Sequence, residues 1–221
     1  MCGRFFLSHS AADVAAHFEL AAEPALAPRY NVAPGQRVPL IRDSPTGRLL
    51  EHAAWAWQPR WAPPAGPRPI NARSETVAEK PLFRAAFARR RALIPADGFY
   101  EWLHRGRSRR PFAIRIREGE LFAMAGLWEP AHDDAAQSSC VILTTAANAP
   151  VSGIHDRMPV ILPREAYRTW LDPDTRRSAL EALLQPCPDE WMTIYPVDSR
   201  VNDARRDEVS LIEPARDLFS R

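Results

Sequence analysis

The sequence is poor in lysine and cysteine and holds no long apolar run. Lys80 is the only lysine, leaving 28 of the 29 basic residues as arginine. A compact ammonium therefore plays almost no part in its charge. The planar guanidinium fork, suited to phosphate and carboxylate, carries nearly all of it. The formal net charge is only +2, so bulk charge selects no partner. Three cysteines, Cys2, Cys140 and Cys187, show no repeated spacing. That count and pattern exclude a disulfide framework and a cysteine-based zinc site. No metal and no cofactor is expected. No apolar stretch reaches the ~20 residues a helical membrane span needs. The first residues lack the apolar core of a secretory signal. The chain is therefore expected in a reducing cytoplasm, away from membranes, with Cys2 a free thiol.

What is present in quantity is apolar surface and proline. Hydrophobic residues make up 46% of the 221, enough for a sizeable core. The 22 prolines concentrate in connections such as "EPALAPRYNVAPGQ" and "QPRWAPPAGPRPINARSE". Both stretches read as irregular and stiff, too proline-dense for helix or central strand. Helices are expected in "SHSAADVAAHFEL", capped by Ser8 or Ser10, in "EKPLFRAAFARRR", in "PREAYRTWL" behind Pro163, and in "TRRSALEALL" near Asp174 or Thr175. Short β-like runs are "VPLIR", "LLEHAAWAW", "ALIP", "GFYEWL", "FAIRI", "LFAMAGLWE", "CVILTT" and "WMTIYPV". Many short strands with helices interspersed irregularly imply an α+β fold rather than alternating βαβ units. No repeat, heptad or low-complexity linker divides the chain, so residues 1–221 are expected to form one domain.

Chemistry concentrates in a few awkwardly polar segments. Cys2 lies too near the end to be an ordinary core cysteine, and removal of Met1 would make it terminal. It would then offer an α-amine, of reference pKa about 7.7–8.0, beside a thiol near 8.5. Asn71, Arg73 and Glu75 alternate in "PINARSET". Glu101 sits between Tyr100 and Trp102 in "GFYEWL". His155, Asp156 and Arg157 interrupt two apolar runs in "VSGIHDRMPVIL". Each has a plain alternative: a turn ion pair, an exposed edge-strand acid, a satisfied core histidine. Together with Cys2 they supply a nucleophile, proton-transfer groups and positioning groups. Cys140 reads as a buried strand residue and Cys187 as a surface-loop residue. The basic clusters at 89–91 and 105–110 read either as solvated faces or as phosphate grips.

The ordered motifs "MCGRF", "RYNVAP", "NARSET", "IPADGFYEW", "ILTTAAN" and "IHDRMPVIL" resemble the SOS-response-associated peptidase (SRAP) family of abasic-site-processing proteins. The likeness runs from residue 2 to about 162, with a weaker match in "PVDSRVNDARRD". It implies a curved, mostly antiparallel, barrel-like β core with flanking helices and a basic cleft. It implies that the terminal amine and thiol of Cys2 react with the ring-opened aldehyde of an abasic site in single-stranded DNA. The product would be a thiazolidine crosslink that shields the lesion. By the same resemblance Glu101 handles protons, His155 assists ring opening, and Asn71 orients Cys2. Arg4, Arg73 and Arg157 would contact phosphates, Thr144 the ring, and Pro34 and Trp61 would stack against bases. Peptidase activity, including self-removal of Met1, and lyase-type Schiff-base chemistry are implied too, in a nucleoid-associated monomer. The "RGRSRR" turn is more basic than the family pattern. Two other readings stay open: an N-terminal-nucleophile amidohydrolase, and a non-covalent single-strand-binding module.

Overall fold

The short β runs assemble into two curled sheets in the computed structural model, which describes residues 2–63, 65–106, 108–131 and 137–215. The strands are β1 (Phe5–Leu7), β2 (Arg29–Val32), β3 (Arg37–Ser44), β4 (Gly47–Trp55), β5 (Asn71–Arg73), β6 (Arg91–Ala96), β7 (Gly98–Arg105), β8 (Ser108–Ile116), β9 (Phe122–Glu129), β10 (Ser139–Ala146), β11 (Arg157–Pro159), β12 (Ile161–Leu162) and β13 (Met192–Pro196). The helices are α1 (Ala11–Phe18), α2 (Arg84–Arg89), α3 (Ala149–Ser152), α4 (Tyr167–Leu171) and α5 (Arg177–Ala182). The class is α+β, as the irregular order of runs implies.

One sheet runs β13-β8-β7-β1-β2, with every neighbouring pair antiparallel. The other closes on itself. From β10 the pairing passes to β4, β3, β6 and β9, and β9 returns to β10. Within this ring only β4–β10 is parallel. Closure removes exposed edges and gives the barrel-like core that the family resemblance implies. The β3–β4 hairpin turns on Gly47, whose φ of 112° suits glycine.

Two apolar layers and a third, smaller one hold the elements together. Helices α1, α2, α4 and α5 cover one side of the ring through Val14, Phe18, Phe87, Trp170 and Leu180. A second cluster fills the space between ring and open sheet, joining Phe5, Phe99 and Ile114 to Trp55, Ile94 and Ile142. A third, around Phe6, Tyr100 and Val201, lies on the other face of the open sheet. Helix α1 starts with a capping box between Ser10 and Asp13, so Ser10 rather than Ser8 is its cap. At α5 the cap position is Arg176, and Thr175 instead donates its hydroxyl to the Thr169 carbonyl at 2.8 Å.

Several sequence expectations need correction. Strands β2 and β5 form inside the two stretches read as irregular. The prolines nearest the strands, at 28, 34 and 69, lie outside the paired residues, so no ladder donor is lost. The strand β1 has no counterpart in the sequence reading. Cys187 is not on the surface: it is buried, Asn148 Nδ2 donates to its carbonyl at 3.2 Å, and burial pushes its thiol up to about 12. Arg91 is no solvated residue of a basic cluster. It is buried and donates to the carbonyls of Phe87, Ala88, Trp170 and Asp172 at 2.5–2.7 Å.

Candidate active site

Residues 2–4 lead into β1, the strand that fixes their position. It is held from both sides, by β2 and by β7. The Tyr100 amide donates to the Arg4 carbonyl and the Asp97 amide to the Phe6 carbonyl, both at 2.9 Å. A Cβ at Gly98 would lie 2.2 Å from the Phe6 ring, so only glycine lets the two strands meet this closely. Asp97 then locks the far end of β1. Its fully buried carboxylate accepts from the Ser8 amide, from Ser8 Oγ at 2.5 Å and from His9 Nδ1 at 2.7 Å.

Cys2 is wholly buried, contrary to the idea that it sits too near the end to pack. Its neighbours in the second apolar cluster include Phe5, Trp55 and Ile142. Asn71, at the start of β5, donates Nδ2 to the Cys2 carbonyl at 2.8 Å. Burial raises the thiol pKa, and the nearby Glu101 carboxylate raises it further; the Arg4 backbone N–H works the other way. The sulfur is therefore held as a neutral thiol.

Glu101 is no exposed edge-strand acid. It lies in the interior strand β7 and is buried. Burial pushes its carboxyl above the usual range, while nearby positive charge, His155 included, pulls the other way. His155 is half-exposed, so it is no core histidine. Its Nδ1 accepts from the Arg157 backbone amide at 2.9 Å and also lies 2.9 Å from Asp156 Oδ1. The amide is fixed in the chain, whereas Asp156 is 86% exposed. The amide therefore sets the tautomer: the neutral ring carries its proton on Nε2 and can donate it.

The arginines divide by burial. Arg4 is half-buried and donates to Asn31 Oδ1 at 2.6 Å and the Val201 carbonyl at 2.8 Å. Arg157 forms a two-pronged pair with Glu75 and donates Nη2 to the Thr144 carbonyl at 2.6 Å. This pairing holds the Glu75 carboxyl below its ordinary range. Thr144 is fully buried, opposite Arg73 across the β5–β10 pairing. Arg73 is exposed and shares a cavity of about 510 Å³ with Asn71, Arg68 and Lys80. The lining of this cavity thus carries three basic residues and no acid. Pro34 is exposed in a turn, and Trp61 is 65% exposed on the 58–70 loop. Both stand outside the hydrogen-bonded network among the described residues. A cavity of about 530 Å³ lined by His9, His17 and Tyr167, among others, contains none of the candidate catalytic or DNA-contacting residues. Asn31 and Asp97 are what sequence reasoning missed. Each is a buried polar residue in a quoted motif, but the burial that singles it out is set by the fold and leaves no local mark in the sequence.

A family model described as SOS response associated peptidase (SRAP) matches residues 1–204. The chain belongs to the SRAP family. It is 38% identical over 222 residues to the abasic site processing protein YoqW of Bacillus subtilis, covering 96% of this chain and 99% of that one. It is 31% identical over 225 residues to the abasic site processing protein YedK of Escherichia coli, covering 97% and 100%. A solved structure from Bacteroides thetaiotaomicron superposes with a TM-score of 0.86 at 26% identity, covering 97% of this chain and 100% of that one. Among the described residues of this SRAP chain, no helix is long and apolar enough to cross a membrane, and no cluster of His, Cys, Asp or Glu is arranged to hold a metal ion.

Proposed function

We propose that this SRAP protein processes abasic sites in single-stranded DNA by forming a covalent crosslink through Cys2. The observation that carries the reading is the meeting of four groups. Asn71 holds the Cys2 backbone, Glu101 acts electrostatically on the buried Cys2, and His155 acts in turn on Glu101. The names of the relatives favour this reading over an amidohydrolase or a passive binding module.

With Met1 removed, the α-amine of Cys2 attacks the aldehyde carbon of the opened deoxyribose. A carbinolamine forms and loses one water to give an imine. The thiol then adds to the imine carbon, and its proton passes to nitrogen. The five-membered ring that closes is a thiazolidine, and the balance is protein plus DNA minus one water. An amine-first order suits a thiol kept neutral, because sulfur is needed only at the second bond. Glu101, with its raised pKa, can give a proton to the departing water and take one from the thiol. His155 Nε2–H is a donor suited to the ring oxygen of the closed sugar. Arg73 and the basic wall of its cavity neutralise phosphates, Arg4 and Arg157 stiffen the frame around Cys2 and Thr144, and Trp61 and Pro34 offer a surface for flanking bases. Such stacking contributes about 1–3 kcal/mol per base.

Intact mass after incubation with an oligonucleotide carrying one abasic site tests this directly. The expected product weighs protein plus DNA less one water, and Cys2→Ser forms none. An equal yield from that variant would sink the crosslink. We assign removal of Met1 to the same Glu101. A Glu101→Ala protein is then expected to keep Met1, and a fully processed terminus would give that step to another enzyme.

A further inference from the structure

The hairpin of β7 and β8 carries arginines for which the proposed chemistry has no use. The sequence suggests a basic turn over "RGRSRR", but the strands run on to Arg105 and Ser108, so the arginines stand on a paired ladder. Arg105, Arg109 and Arg110 are exposed, and none forms a close ion pair with a carboxylate among the described residues, although Arg109 acts on Glu101 through space. Many arginines elsewhere are neutralised: Arg29, Arg42, Arg48, Arg90, Arg177 and Arg200 each hold an acid. Single exposed arginines without an ion pair occur among the described residues, Arg73 and Arg168 for example, but the hairpin gathers three of them in one place.

The base of the hairpin is the candidate site itself. Glu101 faces Phe112 across the ladder, and Leu103 faces Arg110 on that same side. His104 and Arg109 face each other on the opposite side, with Trp102. Arg109 lies over the Trp102 ring at 4.6 Å and Arg4 over it at 5.8 Å. The ring is itself held by a 2.7 Å bond from Nε1 to Asn202 Oδ1. Both faces of the hairpin are thus basic, and one is stacked onto the residue beside Glu101. At ~3.4 Å per residue, the tip at Arg105 lies about 14 Å beyond Glu101. At a rise of ~3.4 Å per nucleotide, that spans on the order of four nucleotides.

We propose that this hairpin is a phosphate-gripping arm, which binds the backbone of the same DNA strand outside the lesion through Arg105, Arg109 and Arg110. The inference rests on the abasic-site reading but concerns binding, not chemistry. The arm recognises charge and carries no base preference.

Fluorescence anisotropy with undamaged single strands tests it. The triple variant R105Q/R109Q/R110Q is compared with wild type on a strand of about 20 nucleotides, long enough to reach from the site to the tip. The slope of log K against log salt is expected to shrink by about 2, three lost phosphate contacts at ~0.7 each. Lysine at all three positions restores most of the slope. A control, R164Q/R168Q/R176Q, removes equal charge from other exposed positions and keeps the wild-type slope. An unchanged slope in the hairpin variant, an equal loss in the control, or no DNA binding by wild type overturns the arm. The crosslink is read separately by mass. Failure to form it defeats the abasic-site reading while the anisotropy still decides the arm.

Discussion

Asp97 and Glu101 are two buried carboxylates four residues apart, and they have opposite surroundings. Asp97 sits where β6 gives way to β7 and takes donors from Ser8 and His9. Those bonds saturate it and tie down the end of β1. Glu101 sits one turn of the pleat further on, against Cys2 and His155, with a carboxyl that burial has pushed upward. The difference teaches that burial alone does not make an acid reactive. A carboxylate saturated by backbone and hydroxyl donors is a rivet. One set near a thiol and an imidazole is the one that the proposed chemistry asks to carry protons.

The comparison is broken most severely at Glu101. Glu101→Gln is expected to slow crosslinking by about 10²–10⁴-fold, measured as single-turnover adduct formation at saturating DNA. Stability should move the other way. A buried carboxyl whose folded pKa lies above its unfolded value binds its proton more tightly in the native state. Stability is therefore highest below the unfolded pKa and falls as pH rises through the folded one. Glutamine removes that loss, so the variant should melt no lower than wild type at pH 7. A gain of ~2–4 °C is expected for each kcal/mol of relieved desolvation. Melting curves at pH 5 and 8 should converge for the variant and diverge for wild type. A variant less stable at pH 8 would make Glu101 a second rivet.

Asp97→Ala is expected to do the reverse. It leaves partly buried donors of Ser8 and His9 without partners, a cost of about 1–3 kcal/mol. The urea midpoint should fall with an unchanged slope. Crosslinking at a temperature where the variant stays folded should fall less than tenfold. Loss of crosslinking without loss of stability would contradict the division. The smallest effect belongs to His9→Gln, which keeps a donor for Asp97 from a half-exposed position. It should cost less than about 1 kcal/mol and leave crosslinking within twofold of wild type.

The class of fold was legible because the apolar runs are short and bounded by turn residues, and most became strands. What escaped was set by pairing over long distances. The run 29–32 becomes a strand only because β1 lies beside it, and 71–73 only because β10 does. Local composition there says proline, and proline wins until a partner edge is known. The members of the site were legible as polar residues in apolar company, and Glu101 is buried as its aromatic neighbours suggest. Their supports were not. Nothing near Arg4 in the sequence points to Val201, 197 residues away, or marks Asn31 as its acceptor. Arg91 looked like its exposed neighbours because charge runs carry no sign of which member turns inward.

The exposed indole of Trp61 has a consequence for observing this protein. Trp55, Trp57 and Trp170 are sealed in the core, and Trp102 is nearly so. Trp61, at 65% exposure, is the tryptophan that water and small quenchers reach most freely. Its emission should lie to the red of the others and be the first that acrylamide removes. A nucleobase laid against it would shield it and dim it in the same step. The molecule then carries its own optical gauge of strand engagement, with Trp61→Phe as the blank.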